Sequence, residues 1–190
     1  ILLNITPDHL DRYNNNIEDY ADSKWMITAQ QSEEDILIVN ADDELSMARW
    51  KRGINGGTRA RVVALSVNRT PEALKDALHQ NGLAPWGWAG VNEGTPTEKE
   101  TFTIYLPTKK PFTMTIQELA LQGKHNLYNS MAASVATRVL ELRSEGIRDS
   151  LAQFDAIEHR MEFVQETNNI KFINDSKATN VNSAWFALES

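Results

Sequence analysis

Short hydrophobic runs alternate along the chain with stretches whose apolar residues recur at helical spacing. Residues 35–40 and 61–67 have the length and composition of buried parallel strands. The polar residues 40–43 end the first run and are typical of the start of a helix. This order of strand, helix and strand predicts an α/β fold, with a mainly parallel sheet flanked by helices.

The first predicted helix carries a lysine among its apolar positions. Residues 1–3 resemble the end of a buried strand, and a loop separates them from the helix. The apolar positions of that helix are Ile17, Tyr20, Ala21 and Ile27. Lys24 falls on the same stripe, so its side chain is predicted to face the core.

The stretch 68–116 has a weaker pattern, because Gly, Pro and Thr interrupt every candidate element. Residues 101–106 and 112–116 alternate in the way that exposed antiparallel strands do, with a turn between them. They predict a small antiparallel side sheet. Trp86 and Trp88 are predicted to lie in the core, where large aromatic side chains are commonly found.

The last third of the chain predicts two helices and a hairpin. The helices cover about 125–142 and 147–154, and the hairpin pairs 161–165 with 170–173. The pattern breaks between Asp155 and Arg160, which indicates a domain boundary.

Both ends of the chain lie inside predicted elements. We therefore expect a piece of a longer protein, with part of one domain at 1–158 and the truncated start of another at 159–190.

Composition excludes several classes of function. The chain has 26 acidic and 19 basic residues and a formal charge of -7, so long-range attraction to nucleic acid or to anionic membranes is not expected. It has no cysteine, which rules out disulfides and thiol catalysis and fits a reducing compartment. No stretch approaches the roughly 20 apolar residues of a membrane span. We therefore expect no nucleic-acid or membrane partner, and a cytoplasmic location fits the absence of cysteine.

A polar cluster at 4–13 directly follows the first strand-like residues. Loops at the carboxyl ends of parallel strands commonly hold the ligands of α/β proteins. His9, beside the carboxylate of Asp8, suits a divalent cation or a phosphate-bearing substrate. The alternative is structural, with Asp8 capping the next turn and His9 on the surface.

Lys24 is the second candidate. A buried ammonium is costly, so a buried lysine is more readily neutral. A neutral amine reacts with carbon dioxide to form a carbamate, whose oxygens could bind magnesium. In the alternative reading, the lysine stem covers the core and the ammonium reaches solvent.

A third cluster lies where the long helix begins, after Gly123. Asn126 and Asn129 are three residues apart, so their side chains share one side of the helix. Two amides placed together can read the edge of a nucleotide base. They could equally be helix caps. Gly123 and Lys124 do not form a phosphate-binding loop, because the upstream glycine of that motif is absent.

The last cluster spans the predicted boundary. Arg160 suits phosphate oxygens, and Asp175, directly after a strand, suits ribose hydroxyls. Lys177 and Thr179 add a charge and a hydroxyl on the same loop. Thr179 or Asn180 could also cap a following helix.

The ordered set of clusters resembles the Mur ligase family over nearly the whole chain. The matching segments are residues 4–13, Lys24, Gly-Lys-His-Asn at 123–126, His-Arg-Met-Glu at 159–162 and Asp-Ser-Lys-Ala-Thr-Asn at 175–180. The last of these resembles the members that add D-glutamate.

This resemblance implies a role for each candidate. His9 and a carbamylated Lys24 would bind Mg²⁺ and, with Lys177, take part in catalysis. The remaining contacts would be Asn126 and Asn129 with adenine, Arg160 and Asp175 with the phosphates and ribose of ATP, and Lys177 and Thr179 with phosphate and the incoming amino acid. The domains would be a central ATP-binding domain at 1–158 and a Rossmann-like C-terminal domain starting at 159.

The implied reaction is ATP-dependent addition of D-glutamate to UDP-N-acetylmuramoyl-L-alanine through an acyl phosphate, in peptidoglycan synthesis. The phosphate loop, the UDP-binding domain and most of the C-terminal domain of the family are not in this chain, so we expect the chain alone to be inactive. The alternatives are another Mur ligase, a folylpolyglutamate synthase, or a nucleotide-binding domain without catalysis.

Overall fold

The computed structural model describes these parts of the chain: 1–52, 58–154, 158–159 and 162–178. The chain divides into two compact units, Ile1–Ala152 and Gln153–Ser190. Their assignment to a central and a C-terminal domain stays a prediction. None of the helices in the described parts is long and apolar enough to cross a membrane.

The first unit is built on one five-stranded sheet with strand order β1-β2-β3-β4-β5. The strands are β1 Ile36–Asn40, β2 Arg61–Leu65, β3 Gly87–Asn92, β4 Thr101–Tyr105 and β5 Phe112–Thr115. Strands β1, β2 and β3 run parallel, whereas β4 and β5 continue the sheet in antiparallel fashion. Leu2 adds an isolated parallel bridge to Val39 on β1.

Helices cover both faces of this sheet. They are α1 Ile17–Trp25, α2 Glu44–Arg52, α3 Pro71–Gln80, α4 Lys124–Val139 and α5 Ser144–Ala152, with short 3₁₀ turns at Leu10–Tyr13, Met26–Thr28 and Ile116–Glu118. Alternate residues of a strand point to opposite faces. Leu37 and Val39 therefore join the core cluster that contains Trp25 and Leu74, while Ile38 joins the cluster on the α4 side. The predicted α/β fold is confirmed.

The sequence pattern did not predict strand β3 or helix α3, because each contains or follows Gly, Pro or Thr residues that usually interrupt such elements. In this fold those residues cap the helix or allow close packing. Thr70 caps α3 by accepting a hydrogen bond from the Ala73 amide, and Pro71 occupies the first helical position. Gly90 lies so close to the preceding loop that a Cβ there would be 2.6 Å from the Arg69 carbonyl oxygen. The glycine therefore permits close packing and does not break the strand.

The predicted antiparallel pair, β4 and β5, forms at nearly the expected residues. It is not a separate side sheet, because β3 joins it to the parallel strands. Trp88 is half-buried and stacks on Tyr105 of β4, with 5.7 Å between the ring centroids. Trp86 is also half-buried, packing against the edge of the α4-side core, so neither tryptophan is fully in the core.

A buried arginine joins α2 to α1. Only 1% of the Arg49 side chain is exposed. Its Nε donates to Asp22 at 2.9 Å, and one terminal nitrogen donates at 2.8 Å to both the side chain and the backbone carbonyl of Glu18. A buried guanidinium is tolerated only when it is paired in this way. The two carboxylates thus fix how α1 lies against α2.

Ser46 on α2 offers a stability test. Its side chain is fully buried, and its hydroxyl has no hydrogen-bond partner among the described residues. We expect Ser46→Ala to raise the free energy of unfolding by about 1 kcal/mol, because an unsatisfied buried hydroxyl costs ~1–3 kcal/mol and alanine favours helix. Urea denaturation of the chain measures the change.

Ser134 provides the matched control for that experiment. It is equally buried on α4, but its hydroxyl donates to the Ser130 carbonyl oxygen at 2.7 Å. Ser134→Ala should therefore give no comparable gain. A loss of stability in Ser46→Ala would contradict the prediction.

The second unit contains an antiparallel hairpin of β6 Glu162–Thr167 and β7 Ile170–Asn174. Asn168 and Asn169 have φ of 53° and 61° in the turn, a left-handed conformation that asparagine tolerates well. The predicted hairpin is confirmed.

Candidate functional site

A buried carboxylate organises the loops at the carboxyl ends of β1 and β2. Only 8% of the Asp42 side chain is exposed. It accepts hydrogen bonds from the Ser66 hydroxyl at 2.9 Å and the Val67 amide at 3.0 Å. The Arg69 guanidinium donates at 2.9 Å and the Tyr128 hydroxyl at 2.6 Å. We call these five residues the Asp42 cluster; it joins the two loops to α4.

The Tyr128 hydroxyl donates a hydrogen bond to the Asp42 carboxylate and keeps its proton. Burial raises the pKa of the Tyr128 phenol, and the hydrogen bond and negative charge of Asp42 raise it further. Ionisation would place a phenolate beside a carboxylate in a half-buried site. The phenol is therefore held as a hydrogen-bond donor to Asp42.

The next residue, Asp43, ties the first polar cluster to the same edge of the sheet. One of its oxygens caps α2 by accepting from the Ser46 amide at 2.8 Å, and the other accepts from the Ile5 amide at 3.2 Å. Ile5 is itself buried. The segment that leads to Asp8 and His9 is thus anchored at the carboxyl edge, as the sequence predicted for this loop.

His9 lies on the surface of this segment. Its backbone is left-handed, with φ of 50°, and 67% of its side chain is exposed. Its Nε2 is 3.7 Å from a carboxylate oxygen of Asp8. Within the described ranges no group of three or more His, Cys, Asp or Glu side chains could hold a metal ion. His9 and Asp8 are therefore at most part of a metal site.

Lys24 does not face the core, so that expectation was wrong. Helix α1 ends at Trp25, and its buried positions are Tyr20, Ala21 and Trp25. Lys24 is exposed, with Nζ 4.9 Å from the centroid of the Tyr20 ring. Ile27 lies beyond the helix and is 57% exposed. The predicted apolar stripe was wrong because it combined residues of α1 with Ile27, which lies after the helix ends. Since Lys24 is exposed, burial does not favour a neutral amine that could form a carbamate.

Asn126 and Asn129 lie at the start of α4, as predicted. Gly123 precedes the helix with φ of 95°, a conformation that strongly favours glycine. Asn126, in the first turn, donates from Nδ2 to the Gln122 carbonyl oxygen at 2.8 Å. Asn129 is exposed beside Tyr128. Both amides are therefore carried by the same two helical turns that carry Tyr128.

A cavity of about 280 Å³ opens beside the first turn of α4. Its lining is mostly apolar, with a carboxylate, an amide and an ammonium, and consists of Val67, Glu100, Ile116, Leu119, Leu121, Gln122, Gly123, Lys124 and Leu127. Neither candidate asparagine lines it. The cavity adjoins the predicted base-reading turn but does not contain its amides.

In the second unit, a polar network surrounds His159. Its Nδ1 is 2.9 Å from the Asn174 side-chain nitrogen, and its backbone amide donates to Glu162 at 2.8 Å. The Lys177 amide donates to the His159 carbonyl oxygen at 3.1 Å. This brings the loop with Asp175 and Lys177 beside His159. Arg160 and Thr179 lie outside the described residues.

The Asp42 cluster was not identified in the sequence. Residues 40–43 were interpreted only as the start of a helix. A usable signal was present, because Asp42 follows a buried strand at the edge where α/β proteins bind ligands. Its partner Tyr128 gives no such signal, since 86 residues separate them.

Comparison with known proteins places these features in a family. The family model of the Mur ligase middle domain matches residues 1–137. The UDP-N-acetylmuramoylalanine–D-glutamate ligase of Christiangramia forsetii is 40% identical over 190 residues, which are 100% of this chain and 37% of that protein. The ligase of the same name from Salinibacter ruber is 38% identical over 195 residues, again with 100% and 37% covered. The chain thus spans little more than a third of these relatives.

Solved structures share the fold at lower identity. MurF from Acinetobacter baumannii matches with a TM-score of 0.62 and 20% identity, covering 96% of this chain and 34% of that one. A pseudomurein peptide ligase type C from Methanothermus fervidus matches with a TM-score of 0.55 and 18% identity, covering 92% and 38%. At such identities the likeness concerns the fold alone.

Proposed function

Since the family model covers residues 1–137, the chain belongs to the Mur ligase family, and we propose that the protein containing it is an ATP-dependent ligase that adds D-glutamate to UDP-N-acetylmuramoyl-L-alanine. The observation that carries the proposal is the 40% identity along the whole chain to a ligase of that name. The reaction belongs to peptidoglycan synthesis, and we place it in the cytoplasm, where ATP and UDP-linked precursors are available.

The proposed chemistry has two steps. The carboxylate of the muramoyl-alanine attacks the γ-phosphorus of ATP, giving an acyl phosphate and ADP. The amine of D-glutamate then attacks the acyl carbon, and inorganic phosphate leaves as the amide forms. Holding the reactants together supplies much of the acceleration in such transfers, and positive groups offset the charge on the phosphoryl oxygens.

The residues of this chain would mainly hold the nucleotide and the amino acid. We propose that Asn126 and Asn129 contact the adenine and that Asp175 accepts hydrogen bonds from the ribose. Arg160 would bind phosphate oxygens. Lys177 and Thr179 would contact the phosphoryl group and the incoming amino acid.

Magnesium fits the described residues only in part. The chain offers His9 and, if it is carbamylated, Lys24; both are exposed. Because the described residues contain no group of three His, Cys, Asp or Glu side chains that could hold an ion, they do not form a complete magnesium site. We propose that His9 and Lys24 act as ligands together with groups from outside these residues.

Amino-acid incorporation tests the function. The full-length protein should join labelled D-glutamate to UDP-N-acetylmuramoyl-L-alanine only when ATP is present, releasing one ADP and one phosphate for each amide. L-Glutamate is the matched control and should not be incorporated. The 190-residue chain by itself should give no product. Preference for diaminopimelate, lysine, alanine or a dipeptide would replace this proposal with another ligase of the family.

A further inference from the structure

Polar contacts at the amino-terminal end of helix α4 differ in length and in the parts of the chain that they join. Gly123 at the cap position offers no side chain, and the Asn126 amide bonds locally to Gln122. The exposed Lys124 ammonium is 3.4 Å from the Asn68 side-chain oxygen, a long and weak contact. By contrast, the bond from the Tyr128 hydroxyl to the buried Asp42 carboxylate is short, at 2.6 Å, and ties these turns to the loops after β1 and β2.

The acceptor of that bond is itself rigid. The Asp42 carboxylate is held by the Ser66 hydroxyl, the Val67 amide and the Arg69 guanidinium, all at 2.9–3.0 Å. Ser66 is fully buried. A carboxylate with several fixed donors and little solvent exposure cannot easily follow a moving partner. Asp42 is thus a rigid hydrogen-bond acceptor for Tyr128 of α4.

Because Tyr128 lies on the same helical turns as Asn126 and Asn129, a bond that fixes Tyr128 also limits the movement of the two asparagines. Tyr128 lies two residues after Asn126 and directly before Asn129, and neighbouring helical residues move together. Amides that read a base must hold their positions within about 0.5 Å. A small rotation or shift of these turns would spoil contacts made by both amides.

We propose that Tyr128, through its bond to Asp42, is a positioning residue that sets the selectivity of the ligase for adenine nucleotides. This inference rests on the proposed function and on adenine binding by Asn126 and Asn129. Tyr128 acts by fixing the turn from which these amides extend, and it does not touch the nucleotide.

The test is Tyr128→Phe in the full-length protein, which removes one hydroxyl and keeps the ring. We expect the KM for ATP to rise about tenfold, the ratio that ~1.4 kcal/mol of lost binding gives, with kcat changed less than about threefold. The preference for ATP over ITP, which lacks the exocyclic amine of adenine, should fall. Asp42→Asn, which removes the charge and keeps the shape, should act in the same direction.

Tyr105→Phe is the matched control. The Tyr105 hydroxyl also bonds to a carboxylate, that of Glu72 at 3.4 Å, but on the exposed surface between β4 and α3. Its removal should leave both KM and the ATP preference unchanged. In a background that lacks both amides, Asn126→Ala with Asn129→Ala, Tyr128→Phe should add less than about a twofold increase in the KM for ATP, because its effect runs through those two side chains.

The outcomes separate this inference from the function on which it rests. A Tyr128→Phe protein that melts at lower temperature but keeps the wild-type KM and ATP preference overturns the positioning role. Equal effects of Tyr128→Phe on the KM for ATP with and without the two asparagines also overturn it. A wild-type protein that forms no amide from ATP overturns the proposed function, and the positioning role with it.

Discussion

Asp42→Ala is expected to lower the free energy of unfolding of the chain by about 3–5 kcal/mol, the scale of removing one partner from a buried, charged hydrogen-bond network. The substitution leaves the Ser66 hydroxyl, the Val67 amide and the Tyr128 hydroxyl without their acceptor, and the Arg69 guanidinium without its carboxylate. Urea denaturation should show a lower midpoint with an unchanged slope.

Asp35 provides a control with similar chemistry and different burial. Its carboxylate accepts from the amide and the hydroxyl of Ser32 at 2.7 and 2.9 Å, and these bonds hold the pKa of Asp35 below its usual value. The residue is fully exposed to solvent, so water replaces the lost acceptor. Asp35→Ala should therefore cost much less than Asp42→Ala. Equal losses would mean that the Asp42 cluster does not depend on burial.

Lys24→Ala is expected to reduce ligase turnover of the full-length protein by at least about 10²-fold, the scale of losing one group that stabilises charge in a transition state. Its melting temperature should barely change, because Lys24 is exposed and Arg49 holds α1 independently. The proposed carbamate is an anion, so Lys24→Arg should be equally inactive. Millimolar formate or acetate should partly restore Lys24→Ala.

Lys75 is the matched control for Lys24. Its Nζ also lies 4.9 Å from an aromatic ring centroid, that of Trp88, while the Lys24 nitrogen lies at the same distance from Tyr20. Lys75→Ala should keep wild-type turnover. Wild-type activity in Lys24→Arg would show that the residue acts as a cation, and it would refute the carbamate.

Elements whose pattern is complete within a few residues were predictable. The hydrophobic runs of β1 and β2 form buried strands, and helix α4 begins directly after Gly123 as its sequence indicated. Helix α3 and strand β3 were not predictable in the same way. Gly90 resembles a strand breaker until the neighbouring loop is known to pack against it. The meaning of such a residue depends on its contacts.

In the candidate site, too, local motifs were predictable from the sequence, whereas the burial of individual side chains was not. The ordered polar clusters predicted the family, because each motif is read locally and their order along the chain is itself sequence information. The sequence could not predict whether Lys24 faces the core or the solvent, since this depends on where α1 ends and on what the helix packs against.

The sequence by itself thus determined the α/β class and the membership of the Mur ligase family. Only the tertiary structure decided that Lys24 is exposed and that Asp42 bonds to Tyr128, a residue 86 positions away. The physical reason is that burial and hydrogen bonding are properties of packed neighbours. Neither hydrophobic periodicity nor motif spacing identifies those neighbours when they come from distant parts of the chain.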